Sequence, residues 1–179
     1  MGVRTADRAT ASQLPEKIGN LLQESRWLAM GAVALFLAMA FWGFSKDDPG
    51  WSHAVATGQL HNPTGHAGAW IADLMLYLFG LSAWWWIILL VMFMWWGFRR
   101  LNSPLGHTDR RPLYIALSGF AVLLVASSAL EALRFYSLKV ELPLAPGGLL
   151  GIEAGRLLEH LLGYTGATLV LLAAMAAGW

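Results

Sequence analysis

Residues 62–83 read NPTGHAGAWIADLMLYLFGLSA, and within them a polar, glycine-rich loop becomes an apolar segment. The apolar segment continues to Phe98, and Asp73 is its only charged residue. Segments of this length and composition are typical of helices that cross a membrane. We therefore interpret the stretch as the outer entry of a transmembrane helix, with Asp73 at the point where the loop becomes the helix.

The composition of the whole chain agrees with a membrane protein. Of its 179 residues, 57% are hydrophobic and 13% are charged, whereas a soluble domain carries about 25% charged residues. The ten tryptophans favour the same class, because indole rings prefer the membrane–water interface. Cysteine is absent, which excludes disulfides and thiolate metal sites. The net charge of +1 gives no sign of a nucleic-acid partner for this segment.

Four apolar segments predict an all-α, polytopic membrane protein with four transmembrane helices, at residues 27–44, 70–98, 113–130 and 161–179. The second segment is too long for one span, because 29 residues of helix extend about 43 Å across a core of about 30 Å. Measured back from Phe98, Asp73 lies about 38 Å away. This distance favours an outer-interface position for Asp73; the alternative is a tilted helix, or one that breaks near Gly80.

The distribution of Lys and Arg predicts the orientation of the spans. Eight of the twelve basic residues lie in the N-terminal segment 1–26 and in the loop 99–112, and four lie in the loops 45–69 and 131–160. The positive-inside rule therefore predicts that both termini are cytoplasmic and that the latter two loops are outside. Residues 1–26 are expected to include an interfacial helix. The chain ends within an apolar run, so we expect a fragment that continues on the cytoplasmic side.

Sequence patterns for catalysis are absent. None of the three lysines, Lys17, Lys46 and Lys139, is followed by Ser or Thr as a P-loop requires, so this segment is not expected to be an enzyme. No H-E-x-x-H motif occurs, and the first-loop histidines are interpreted as exposed loop residues, with no metal site or cofactor expected.

Two local pairs of polar residues are also predicted. His66 and Asp73 are seven residues apart and would share a helix face, so a hydrogen-bonded pair is plausible. Glu131 and Arg134 are spaced for an ion pair along the helix. Trp84, Trp85 and Trp86 lie in the membrane, where they are either lipid-facing or in contact with another protein.

Small residues form three clusters along the chain, and in membrane helices such residues allow close approach of neighbouring helices or self-association. The clusters are Gly65, Gly68, Ala69 and Ala72; then Gly147, Gly148, Gly151 and Gly155; and finally Gly163, Gly166 and Ala167. Packing among the four helices of one chain and contact between chains both remain open at these positions.

Several of these residues together resemble the N-terminal membrane domain of the FtsK/SpoIIIE family of DNA translocases. The resemblance covers about residues 20–175 and is most specific in the run N-x-x-G-x-x-G-A-x-x-x-D at Asn62–Asp73. The positions that match in the loops and helix entries are Asp48, Pro49, Trp51, Asn62, Gly65, Gly68, Ala69, Trp70, Asp73, Gly80, Gly147, Gly148, Gly151, Gly163 and Gly166.

The resemblance implies a membrane anchor and divisome-assembly module, located at the septum in the bacterial inner membrane and acting in cell division and chromosome segregation. It implies a missing linker and a hexameric motor that would use ATP and magnesium to move DNA. Membrane lipid, other copies of the chain and division proteins are the expected partners, with DNA bound only through the motor. The matching loop residues are expected to serve packing or partner contact. The alternative function is a subunit of an oligomeric channel or transporter, although the spans lack a polar stripe.

Overall fold

The computed structural model describes residues 24–54, 60–101, 111–135 and 141–179, without the side chains of 98–101. The described residues form helices and no strands. These are α1 at Glu24–Trp42, α2 at Gly65–Phe79, a short 3₁₀ helix at Gly80–Ala83, α3 at Trp84–Leu101, α4 at Arg111–Arg134 and α5 at Gly148–Gly178. With α2 and α3 counted as one continuous segment, four helical segments are long and apolar enough to cross a membrane, which confirms the all-α fold with four candidate spans.

The segment 70–98 belongs to one candidate span, Gly65–Gly97, but it is not one uninterrupted helix. Helix α2 ends at Phe79, because Gly80 adopts φ 60° and ψ −139°, and the chain then makes one 3₁₀ turn before α3 begins. Glycine reaches positive φ at little cost, whereas other residues are strained there. The break near Gly80, which the sequence analysis gave as an alternative, explains how the 29-residue apolar segment fits. Helix α3 alone is about 27 Å long, which is close to the bilayer core.

Helix α5 contains a second glycine break. Gly163 has φ 68° and ψ 168° within the 31-residue helix and divides it into a first part that contains Glu153, Arg156 and Glu159 and a second part without charged residues. The predicted span at 161–179 therefore begins close to this residue, and residues 148–160 of the predicted outer loop belong to the first part of α5. In both α2–α3 and α5, a glycine separates the apolar crossing helix from the segment that precedes it.

The helices pack around two apolar clusters. The first cluster joins α1, α2 and the second outer loop, and its buried residues are Ala40, Phe41, Ala72, Leu76, Ala83 and Leu142. The second cluster joins α4 and α5, and its buried residues are Ala126, Ala129, Leu133, Ala167 and Leu171. Alanines recur in both clusters because small side chains allow helix backbones to approach closely in a membrane. We use "outer end" for the end of the molecule that carries the first outer loop, between α1 and α2, and the second outer loop, between α4 and α5.

The three consecutive tryptophans in α3 contact aromatic residues of other elements of the same chain. Trp84 meets Phe41 of α1 at a centroid distance of 5.7 Å, and Trp86 meets Phe120 of α4 at 5.1 Å. Trp85 lies 5.7 Å from Trp179 at the end of the chain. Packing within the chain is a third role, which the sequence interpretation of these tryptophans as lipid-facing or partner-binding did not include.

Some predicted features fall outside the described residues. They are the interfacial helix in segment 1–26 before Glu24, the parts of the outer loops at 55–59 and 136–140, and the basic loop at 102–110.

Candidate outer-end interaction site

Asp48 connects the start of the first outer loop to the residues of the same loop that lie just before α2. Its side chain is 2% exposed and accepts hydrogen bonds from the backbone amides of His61, at 2.6 Å, and Asn62, at 2.8 Å. The imidazole Nδ1 of His61 lies 3.1 Å from the same carboxylate. Burial raises the pKa of Asp48, but these hydrogen bonds and the His61 ring outweigh burial, so the pKa lies below its ordinary value of 3.8. The carboxylate therefore stays ionised at neutral pH.

Asn62 connects the loop to the end of α1 and the start of α2. Its side-chain amide nitrogen donates to the carbonyl of Ala40 at 2.9 Å. Its side-chain amide oxygen accepts hydrogen bonds from both the backbone amide and the hydroxyl of Thr64. The oxygen thus shapes the turn immediately before α2, as short polar side chains do at helix starts. Gly65 begins the helix at φ 75°, and a Cβ on Gly68 would overlap the Thr64 hydroxyl. Each of these matched residues has a local structural role.

Asp73 is buried, and it fastens the loop to α2 from the other side. Its carboxylate is 1% exposed and accepts hydrogen bonds from the Ser52 backbone amide, at 2.5 Å, and hydroxyl, at 3.0 Å. The Nδ1 atom of His53 lies 3.8 Å away. A Cβ on Gly50 would overlap the same carboxylate, so glycine is needed for the loop to approach Asp73.

The predicted pair of His66 and Asp73 is not formed. The carboxylate is turned towards Ser52 and His53, and His66 is exposed on α2. The interpretation of the first-loop histidines as simply exposed is also incomplete, since His53 and His61 each lie beside a buried carboxylate. Within the described ranges no three His, Asp or Glu side chains are grouped to hold a metal ion. The hydrogen bonds that Asp48 and Asp73 accept hold the described parts of the loop in place.

Two tryptophans are exposed where Asp48 and Asp73 hold the first outer loop in place beside α2. Trp51 packs edge-on against Tyr77 of α2 at 5.3 Å and is still 48% exposed, and Trp70 is 46% exposed. Pro49 is half-buried between Asp48 and Gly50, and Ala69 is 3% exposed in the core. Among the matched residues, these two indoles therefore present the largest apolar surfaces at the outer end. Aromatic residues held in place by rigid neighbours are common at the centres of protein interfaces.

The glycines of the second outer loop form a junction with the break in the α2–α3 segment. The Leu81 amide donates to the carbonyl of Pro146 at 2.7 Å, and a Cβ on Gly80 would overlap that carbonyl. Gly148 has φ 61°, and a Cβ on it would overlap the backbone of Leu78 and Gly80. Cβ atoms on Gly147 or Gly151 would overlap the Ser128 carbonyl of α4. These glycines serve contact within the chain.

The last two matched glycines, Gly163 and Gly166, lie in α5, where an added Cβ would meet fewer neighbouring atoms than at the glycines of the second outer loop. A Cβ on Gly163 would meet no atom within 4 Å, so its positive φ is the feature that requires glycine. A Cβ on Gly166 would approach the Leu162 side chain at 3.1 Å. Gly163 therefore sets the break in α5, whereas Gly166 contributes to local packing beside that break.

A polar cluster that the sequence interpretation missed joins α4 to the 3₁₀ helix that precedes α3. The Glu131 carboxylate accepts hydrogen bonds from the Ser82 hydroxyl, at 2.7 Å, and amide, at 3.1 Å. The Ser127 hydroxyl lies 2.6 Å from that of Ser82. The sequence contains a sign of this cluster, because Glu131 and three serines, Ser82, Ser127 and Ser128, lie within otherwise apolar segments. The separation of 49 residues between Ser82 and Glu131 hides their contact from an analysis of local spacing.

The predicted ion pair between Glu131 and Arg134 is therefore wrong. While Glu131 is engaged by Ser82, the Arg134 Nε donates to the Thr168 hydroxyl at 3.2 Å, and its guanidinium lies 4.4 Å from the ring centre of Tyr164. The physical reason is that a helix break leaves amides without helical acceptors, and a carboxylate is a strong acceptor for them.

Comparison with known proteins identifies the family. The family model for the 4TM region of DNA translocase FtsK/SpoIIIE matches residues 19–179. Among curated relatives, DNA translocase FtsK 2 of Ralstonia nicotianae is 43% identical over 96% of this chain and 22% of its own length. DNA translocase FtsK 1 of Neisseria meningitidis serogroup B and DNA translocase FtsK of Pseudomonas putida are 33% and 31% identical, over 91% and 92% of this chain. No solved structure matches the chain significantly.

The region of similarity limits what the family implies. The chain spans about a fifth of the length of these relatives, and the family model describes their membrane region, so the match brings no motor domain to this chain. Its four apolar helical segments agree with that region and support a location in the bacterial inner membrane. The chain belongs to the family of the four-transmembrane region of FtsK/SpoIIIE DNA translocases.

Proposed function

We propose that this chain is the membrane anchor and divisome-assembly module of an FtsK-like DNA translocase that acts in cell division and chromosome segregation. The family membership supports the anchor, because the relatives are named DNA translocases and the matched region is their membrane part. The septum is the proposed site of action. The motor that would bind DNA, ATP and magnesium belongs to the longer protein, in which six copies would assemble.

The structure of the outer end supports the assembly role. An anchor needs only helices that cross the bilayer, yet here the first loop is held by several buried polar groups. Asp48 binds the His61 and Asn62 amides within the loop, Asn62 binds the Ala40 carbonyl of α1, and Asp73 of α2 binds Ser52. Fixing a loop costs conformational entropy. The fixed loop and α2 then present Trp51 and Trp70 at about half exposure. This presentation of two indoles from a rigid support is the observation that carries the proposal, since such residues anchor protein contacts.

The structure supports the alternative function, a channel or transporter subunit, less than it supports the assembly role. The cavity between α3, α4 and α5, of about 730 Å³, is lined by apolar and aromatic side chains with two glycines and a proline. A path for water or ions through a membrane needs polar groups along it. We therefore propose no transport function.

The proposal is tested in cells that depend on the full-length translocase. The double variant Trp51→Ala, Trp70→Ala removes the exposed indoles without touching the fastened carboxylates, and a fluorescent fusion reports its position. We expect the variant to insert in the membrane at normal abundance but to be depleted at the septum, with cells that divide late. The control is Trp42→Ala, which removes an 86% exposed tryptophan at the end of α1.

Two results would contradict the assembly role. One is normal septal enrichment and division with both indoles removed. The other is an equal defect in the Trp42→Ala control, which would point to lost membrane anchoring instead of a lost protein contact.

A further inference from the structure

An apolar groove opens between α3 and α4 towards the end opposite the outer end. Trp86 contacts Phe120 at 5.1 Å, and beyond this contact the helices line a cavity of about 730 Å³ that α5 closes on one side. Met92 of α3 is 56% exposed in this groove, and Ile115 of α4 is 70% exposed. The volume is in the range of pockets that hold small molecules.

With the orientation that the positive-inside rule predicts, the groove lies in the cytoplasmic leaflet. Its lining runs from Trp85 to Trp96 on α3 and from Pro112 to Leu123 on α4, so it extends to the ends of the helices that carry the basic residues. Trp95 and Trp96 line its mouth, 61% and 37% exposed, at the depth where tryptophan belts mark the edge of the hydrocarbon. A ligand seated here would have an apolar body in the membrane and a polar end at its surface.

The basic residues near the mouth of the groove favour a ligand whose polar end is negatively charged. Helix α3 carries Arg99 and Arg100 in its last turn, and α4 begins at Arg111. Basic residues at the cytoplasmic ends of membrane helices attract anionic lipid headgroups, and basic pockets between helices bind them. We propose that the groove holds the acyl chains of an anionic phospholipid of the cytoplasmic leaflet, with the headgroup phosphate at the basic ends of α3 and α4.

Two other occupants fit the charge less well. A second copy of the chain would bring the same basic helix ends to the mouth, so like charges would meet there. Residues 1–23 of the same chain carry three basic and two acidic side chains, so they offer no net negative charge to the arginines. A phosphate on an apolar tail complements both the wall and the mouth of the groove.

The test uses the 179-residue chain reconstituted in vesicles of equal phosphatidylglycerol and phosphatidylcholine, extracted in mild detergent and examined by native mass spectrometry. We expect the unmodified chain to retain phosphatidylglycerol about tenfold more than phosphatidylcholine. Ala116→Trp fills the groove and should abolish this retention, because Ala116 lines it. The triple variant Arg99→Gln, Arg100→Gln, Arg111→Gln should retain both lipids equally.

The matched control is Ala121→Trp, the same substitution at an exposed position of α4 that does not line the groove. It should retain lipid as the unmodified chain does, and circular dichroism establishes that each variant is folded. Equal retention of the two lipids by the unmodified chain would overturn the proposal, as would unchanged retention in Ala116→Trp. A dimer that carries no lipid and that Ala116→Trp disrupts would assign the groove to a second copy instead.

Discussion

Glu131 of α4 caps the break that precedes α3 by accepting hydrogen bonds from both the amide and the hydroxyl of Ser82. The break itself is made by Gly80, two residues earlier, and the Leu81 amide is satisfied by Pro146. Three segments distant in sequence thus meet at one interruption of a helix. Because amides freed by a helix break are costly inside an apolar molecule, these partners allow α2 to end where it does.

Glu131→Ala should destabilise the fold by about 1–3 kcal/mol, because it leaves the Ser82 amide and hydroxyl without their carboxylate acceptor. Unfolding in detergent micelles with increasing denaturing detergent measures this loss. Glu131→Gln, which keeps one acceptor oxygen, should lose less. The control is Glu153→Ala, since Glu153 is 66% exposed on α5. Equal stability of Glu131→Ala and Glu153→Ala would show that the cap contributes nothing.

Gly80→Ala should be more destabilising than Gly65→Ala. Both glycines have positive φ, which strains any residue with a Cβ by about 1–2 kcal/mol. At Gly65 the added methyl meets no atom within 4 Å, whereas at Gly80 it overlaps the Pro146 carbonyl. The difference between the two variants, measured by unfolding in the same micelles, isolates the contact between the break and the second outer loop. If the two losses were equal, close approach at Gly80 would have no energetic role.

The sequence predicted the elements that depend on local composition. Long apolar runs determine where helices can cross a membrane, so the four candidate spans were recognised, and the excess length of 70–98 indicated that a tilt or a break near Gly80 was an alternative to one long helix. Gly163 was noted only as a small residue at a helix entry, because its break depends on φ, which a side-chain pattern does not record.

The pairing of polar side chains was not predictable in the same way. His66 and Asp73, and Glu131 and Arg134, have helical spacing, but spacing only shows which neighbours are available on one helix. Asp73 and Glu131 each bind a serine that lies more than twenty residues away in sequence. These partners offer hydrogen bonds from segments that only the folded chain brings together, and spacing along one helix does not record them.

Asp73→Ala should release the first outer loop from α2 and destabilise the fold by about 2–3 kcal/mol, since two hydrogen bonds from Ser52 to a buried carboxylate are lost. Protease cleavage between residues 45 and 54 should become faster. Asp47→Ala is the control in the same loop, because Asp47 is exposed. In a double-mutant cycle, Ser52→Ala should add little to Asp73→Ala. Full additivity of the two losses would mean that Ser52 and Asp73 do not act as a pair.

Asp48 should make the stability of the outer end dependent on acid pH. Its folded pKa lies below the ordinary value of 3.8, so the folded chain holds the ionised form more strongly than the unfolded chain does. The resulting stabilisation is complete above the unfolded pKa and is lost as the pH falls through the folded pKa. The melting temperature of the unmodified chain should therefore exceed that of Asp48→Asn by a constant amount at pH 5–7, and the gap should narrow below about pH 4. Asp47→Asn, in the exposed part of the same loop, should show no such narrowing. A gap for Asp48→Asn that stays constant down to pH 3 would show that the His61 and Asn62 amides do not depend on the charge of this carboxylate.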